Sequence, residues 1–136
     1  MKAFEVFKQT MAMIDEMTDT GELDTTSVDD FKARAPYILT SLQNEIIGIE
    51  NRYRKYEEYI RPVPITNLEN QDVQVDDIQA NTLLVYGLAA KLMSDENKAL
   101  ANFMQQEYER LSGIFLKPKP AKPESREDKY GASLQY

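Results

Sequence analysis

The sequence predicts an all-α protein: a small helical bundle with a long central helical hairpin and an extended C-terminal tail. Three observations predict it. Apolar residues recur at steps of three and four along most of residues 2–116. The six prolines fall in three places, at Pro36, at Pro62 and Pro64, and at Pro118, Pro120 and Pro123, so long stretches are free of helix breakers. Between Leu83 and Met93 the only charge is Lys91, and a helix that is apolar almost all round is a buried one. With 136 residues the chain has room for one domain. That domain is expected over residues 1–116, with residues 117–136 as the tail.

The elements follow in order. Phe4, Phe7, Met11 and Ile14 are spaced 3, 4 and 3 apart and form one helical face over Lys2–Met17, widened by Val6, Met13 and Met17. "TDTGELDTTS" is a loop, with Gly21 as a stop and Thr26 or Ser27 as the next cap; Ser27 and Asp30 have capping-box spacing. A short helix, Val28 to Arg34, puts Val28 and Phe31 inward. Pro36 disfavours helical angles at Ala35 and is tolerated best in the first turn of a new helix, so a break is expected there. The following helix, Pro36 to Tyr59, carries a seam of Ile38, Leu42, Ile46, Ile49, Tyr53, Tyr56 and Ile60. "RPVPITNLENQDVQVD", residues 61–76, has little periodicity and reads as a long loop. Loops of that length often contact partners, which makes Pro62, Pro64, Ile65 and Leu68 candidate interface residues.

Asp76 and Asp77 open the central helix, which runs to Met93, because carboxylates suit the positive end of a helix dipole. "SDEN", Ser94 to Asn97, caps a last helix from Asp95 to Phe115, with Leu100, Phe103, Met104, Glu107, Tyr108 and Leu111 at helical spacing. So short a turn makes the two helices antiparallel. Within this hairpin Tyr86, Gly87, Ala89 and Ala90 stand together. A glycine inside a helix costs about 1 kcal/mol against alanine, so Gly87 has a reason to be there: close backbone approach, or a hinge. In the tail, Lys117, Pro118, Lys119 and Pro120 begin an extended spacer that ends in Tyr130, Leu134 and Tyr136, apolar enough to serve as anchors.

Composition narrows the chemistry. The chain has no Cys, His or Trp, which excludes disulfides, thiol nucleophiles, Cys or His zinc sites and the commonest general base. Residues 1–116 hold 11 Lys and Arg against 20 Asp and Glu, a balance of −9, whereas residues 117–136 hold 5 against 3, or +2. An acidic body does not suit a protein that coats DNA. No apolar run is long enough to span a membrane, and "MKAFEVFKQT" lacks a signal-peptide core, so a cytoplasmic site of synthesis is expected.

Few motifs remain. No phosphate-binding or nucleophile-elbow pattern occurs. Asp29–Asp30, Asp76–Asp77 and Asp95–Glu96 fall at expected helix starts and are read as caps; Glu57–Glu58 reads as a solvated face. Asp72, Gln74 and Asp76 alternate as in a calcium loop but lack its glycine and terminal glutamate. "NRYRKYEEY", residues 51–59, interleaves basic and aromatic residues as nucleic-acid binders do, although Tyr53 and Tyr56 are assigned to the seam. No catalytic, metal-binding or cofactor-binding residue is assigned.

"LLVYGLAAKLMSDENKALANFMQQEYERL" resembles the helical hairpin of the head-to-tail connector, or adaptor, proteins of tailed bacteriophages. The pattern is Tyr86 to Ala90, an acidic turn at Ser94 to Asn97, and Leu100 to Glu109. "FKARAPYILTSLQNEI" and "VPITNLENQ" are similar to the parts that precede it, so the resemblance spans roughly residues 25–112. It implies a small α-helical virion protein, not an enzyme and without cofactor, assembled in the host cytoplasm and resident in the neck. Such subunits form a homo-oligomeric ring under the portal protein, extend the DNA channel without sequence-specific binding, and dock the tail or a stopper. It also implies that a C-terminal segment, here the one bearing Tyr130, Leu134 and Tyr136, grips the portal. Two other readings stay open: a small partner-binding regulator or assembly chaperone, and a carboxylate enzyme with a divalent metal.

Overall fold

The computed structural model describes residues 1–14 and 25–116, and these are all-α. Helix α1 is Ala3–Met13 and α2 is Thr25–Asn51. A central helix follows in three consecutive parts: α3 (Asp77–Gln79), a π-helical segment (Ala80–Leu84) and α4 (Val85–Leu92). Helix α5 is Lys98–Phe115. Helix α4 packs against α1, α2 and α5, so it is the axis of the bundle. Its buried residues, Val85, Gly87, Leu88, Ala89, Ala90 and Leu92, cover most of its circumference, as the uncharged run predicts. No helix among the described residues is long and apolar enough to cross a membrane.

In α1 the buried residues are Ala3, Val6, Phe7, Thr10 and Met11, with Ile14 just beyond; Phe4 is only partly buried and Met13 is exposed. Thr10 can lie in the core because its hydroxyl donates to the Val6 carbonyl at 2.8 Å. Gly21 and Met17 lie outside the described residues.

Helix α2 departs from expectation at both ends and in the middle. It starts at Thr25, so Ser27 and Asp30 lie inside the helix and not at a capping box. Pro36 does not break it. The buried residues Val28, Phe31, Ala35, Leu39, Leu42 and Ile46 form one face that runs straight through the proline, and this shared burial outweighs a local cost of about 3 kcal/mol. The helix then stops at Asn51, short of the expected Tyr59. Three tightened bonds end it, Arg52 N–H to Ile49, Tyr53 N–H to Glu50 and Arg54 N–H to Asn51. Leu39, Gln43 and Ile47 join the core, while Ile38, Ile49 and Ile60 are half-buried and Tyr53 and Tyr56 lie outside it.

Residues 61–76 form an ordered excursion along α2. Thr40 Oγ1 donates to the Pro36 carbonyl at 2.7 Å and accepts the Ile65 N–H at 2.8 Å. Fully buried Gln43 donates to the Val63 carbonyl at 3.0 Å and accepts the Gln74 N–H at 2.7 Å. Gln74 in turn accepts the Val63 N–H and donates to the Arg61 carbonyl at 3.0 Å. These two glutamines supply backbone-like partners for a segment that has no ladder of its own. Ala3 N–H and Val73 N–H, bonding across to Gln71 and Met1 around the isolated Lys2–Asp72 bridge, hold the returning limb of the excursion to the start of α1.

The hairpin turn is short, as expected, but its cap is Asn97, whose side chain accepts the Leu100 N–H at 3.1 Å; α5 therefore begins at Lys98 and not at Asp95. Met104 and Tyr108 face the core along with Ala101, Leu100 and Leu111 are half-buried, and Phe103 faces out.

Candidate docking surface

The hairpin residues occupy one packed contact. A Cβ on Gly87 would lie 2.9 and 3.0 Å from the two methyls of Leu42 and 3.1 Å from Cδ1 of Tyr108. The backbone of α4 thus touches side chains of both α2 and α5 at this point, which is the close-approach reading of the glycine. Ala89 and Ala90 are buried beside it and Tyr86 is half-buried. Tyr108 donates from its hydroxyl to Glu45 Oε1 at 3.3 Å. Burial, and then the negative charge of Glu45, pushes the Tyr108 phenol well above the usual tyrosine range.

The candidate interface loop divides. Ile65 and Leu68 are buried in the core, so they are not available to a partner; the glutamine and threonine bonds above turn them inward. Pro64 and its neighbour Val63 are exposed, and Pro62 is half-buried. The tail residues Lys117, Pro118, Lys119, Pro120, Tyr130, Leu134 and Tyr136 lie outside the described residues.

The acidic pairs are occupied in several ways. Asp76 caps α3 by accepting the Gln79 N–H at 2.8 Å. Asp30 approaches Arg34 at 3.5 Å, and Asp95 and Glu96 lie exposed on the hairpin turn. Asp72 pairs with Lys2 at 3.6 Å and Gln74 is committed to Val63 and Gln43, so the alternating trio does not converge. Among the described residues no group of three or more carboxylates is placed to hold a metal ion. Glu69 meets Lys32 at 2.7 Å, and that hydrogen bond and charge hold its carboxyl below the usual range. Arg34 reaches the Leu92 carbonyl at 3.3 Å and so ties the start of α2 to the end of α4.

The most distinctive surface lies just past α2, and periodicity had placed two of its residues in the core. Asn51 folds the chain back on itself: its Nδ2 donates to the Ile60 carbonyl at 2.9 Å and its Oδ1 accepts the Ile60 N–H at 3.1 Å. Arg54 donates to the same Asn51 oxygen at 2.8 Å and lies against Glu50 at 3.4 Å. Inside this closed loop a single 3₁₀ turn, Tyr56–Glu58, brings the Tyr56 ring against Tyr59, tilted by 52° with ring centroids 5.4 Å apart. Tyr53, Tyr56 and Tyr59 are 57, 82 and 51% exposed, and Val63, further along the chain, is 51% exposed. Arg52, Lys55 and Arg61 are exposed as well and make no ion pair among the described residues. The result is a fixed knuckle of tyrosines and cations. In "NRYRKYEEY" Tyr53 and Tyr56 share an uncharged helical face with Ile60, so periodicity alone could not separate this surface from a buried seam; the interleaved cations were its one visible sign.

The chain matches no protein-family model, no curated protein and no solved structure.

Proposed function

We propose that this chain is a structural, non-enzymatic subunit of the head-to-tail connector of a tailed bacteriophage. In this reading it stands in a ring of its own copies under the portal protein, extends the DNA channel and offers a docking surface to the tail or a stopper. It would reside in the virion neck after assembly in the host cytoplasm. The observation that carries the reading is the hairpin. The residues that bear the resemblance, Tyr86 to Ala90 and Leu100 to Glu109, are those on which the bundle is built, with Gly87 seated between Leu42 and Tyr108. Two features are consistent with it. The excess of carboxylates over residues 1–116 suits a channel wall that DNA must slide past without sticking. The exposed tyrosine knuckle offers protein-contact surface of the residue type that dominates interfaces.

The test combines the portal ring of the same phage with the full chain and with a chain ending at Leu116, read by electron microscopy and by co-sedimentation. Added ring density beneath the portal with the full chain, lost or weakened with the shorter one, is the expected result. Absence of portal association, with both chains retrieving the same small soluble partner from infected cells, would replace this reading with that of a regulator or assembly chaperone.

A further inference from the structure

We infer that α5 carries a second apolar face, and that this face pairs with the same face of another copy of the chain, antiparallel across a twofold axis at Glu107. Such a pair is closed, which sets it apart from a ring, whose contacts join two different surfaces. The inference does not rest on the connector reading.

Three observations carry it. The first is an unpartnered stripe. Helix α5 packs on α4 and on the π-helical segment, and buries Ala101, Met104 and Tyr108. A second set, Leu100, Phe103, Glu107, Leu111 and Ile114, stands at steps of 3, 4, 4 and 3 and so shares another face of the same helix. Phe103 and Ile114 are 53 and 55% exposed, while Leu100, Glu107 and Leu111 are half-buried. Unlike the exposed tyrosines of the knuckle, Phe103 and Ile114 have no polar end suited to water. The second is self-complementarity. The stripe reads the same from either end: Leu100 and Ile114 lie seven residues to either side of Glu107, and Phe103 and Leu111 lie four. In an antiparallel pair centred on Glu107, Leu100 meets Ile114 of the other copy and Phe103 meets its Leu111. Each contact is made twice, as a twofold axis requires. The third is charge. Arg110 donates to Glu107 Oε2 from Nε at 3.0 Å and from Nη2 at 2.7 Å. In the pair two arginines and two carboxylates gather around the axis as a neutral group, and each Arg110 can bridge to the Glu107 of the other copy.

A helix of a different protein could cover the same apolar residues, but it would give no reason for their symmetry about Glu107 or for the balanced charge at the centre. The antiparallel arrangement also opposes the two helix dipoles. With only four apolar side chains from each copy, Leu100, Phe103, Leu111 and Ile114, the pair belongs among weak and reversible contacts.

The experiment is sedimentation equilibrium on the full chain from micromolar to millimolar concentration, with circular dichroism to check that the helices of every variant are intact. The wild type is expected to form a dimer and to stop there. A variant carrying Phe103→Ser and Ile114→Ser, both exposed positions, is expected to dimerise at least about tenfold more weakly. Two charge variants then test the axis. Glu107→Arg would gather four cations around it and Arg110→Glu four carboxylates, so each alone is expected to stay monomeric. An equimolar mixture of the two should regain the dimer, with one chain of each kind. A wild type that stays monomeric throughout, one that assembles beyond the dimer, or a serine variant that dimerises as the wild type does would overturn the inference. So would charge variants that each dimerise as the wild type does, or a mixture of them that stays monomeric. Portal binding, present or absent, decides the connector reading and leaves this inference untouched.

Discussion

At Gly87 two opposing effects can be compared directly. Alanine there would recover about 1 kcal/mol of helix propensity but would press a methyl into Leu42 and Tyr108, and overpacking of this kind costs roughly 1–3 kcal/mol. Gly87→Ala is therefore expected to lower stability slightly, by about 1 kcal/mol, in urea unfolding. Gly87→Leu has no space on either side and should lose at least about 3 kcal/mol and aggregate; a Gly87→Leu protein as stable as wild type would refute the close-packing account. Tyr108, on the other side of that contact, titrates in a predictable sense. Its folded-state pKa is raised, so the neutral phenol contributes stability fully below the ordinary tyrosine value of about 10, and that stability is lost as pH climbs above it. Thermal unfolding followed from pH 8 upward should show a steeper alkaline decline for wild type than for Tyr108→Phe, and equal slopes would contradict the assignment. The sequence made the small residues of the hairpin visible, because glycine and alanines in an apolar helix call for close approach. It did not make Leu42 visible as the neighbour, since that contact is between α4 and a helix some forty residues earlier.

Element boundaries test which force sets them. Pro36 lacks the amide that would bond to the Lys32 carbonyl, and its ring crowds that carbonyl, yet α2 continues on both sides. Pro36→Ala should restore the bond at the expense of some unfolded-state freedom, worth about 0.4–1 kcal/mol, for a net gain of about 2 kcal/mol and a higher melting temperature. A lower one would mean that the proline ring packs usefully where it is. The apolar face from Val28 to Ile46 was legible on both sides of Pro36; the local rule about proline masked its continuity. The end of α2 was illegible for a different reason. No glycine or proline follows Asn51 until Pro62, and tyrosines at helical spacing imitate a buried seam. Nor do Gln43 and Gln74 announce themselves, since a glutamine in a polar-looking position is ordinary until its burial is known. Gln43→Leu would leave the Gln74 N–H and the Val63 carbonyl without their partner. It is expected to cost roughly 3 kcal/mol and to raise hydrogen exchange over residues 61–76 before the helices.

At the scale of the molecule, the all-α architecture followed from periodicity and from the uncharged run at Leu83–Met93, because the helix that touches every other helix has no polar side to show. That arrangement makes α4 the element through which the bundle coheres. Helices α1, α2 and α5 each pack on it, and α2 and α5 are linked where Tyr108 donates to Glu45 and where Leu42 and Tyr108 both lie against Gly87. Leu88 is fully buried on α4, and Leu88→Ala should cost about 2–5 kcal/mol through lost burial and the cavity left behind. Since three helices share that core, the loss should be global: far-UV circular dichroism and tyrosine fluorescence should fall together, in one transition at a lower temperature. The exposed tyrosines of the knuckle report on one end of α2, and Tyr108 on the interior, so coincident curves mean that both ends of the bundle depend on the α4 core. If the two signals separated in Leu88→Ala, the bundle would behave as two units, with the hairpin of α4 and α5 able to part from α1 and α2.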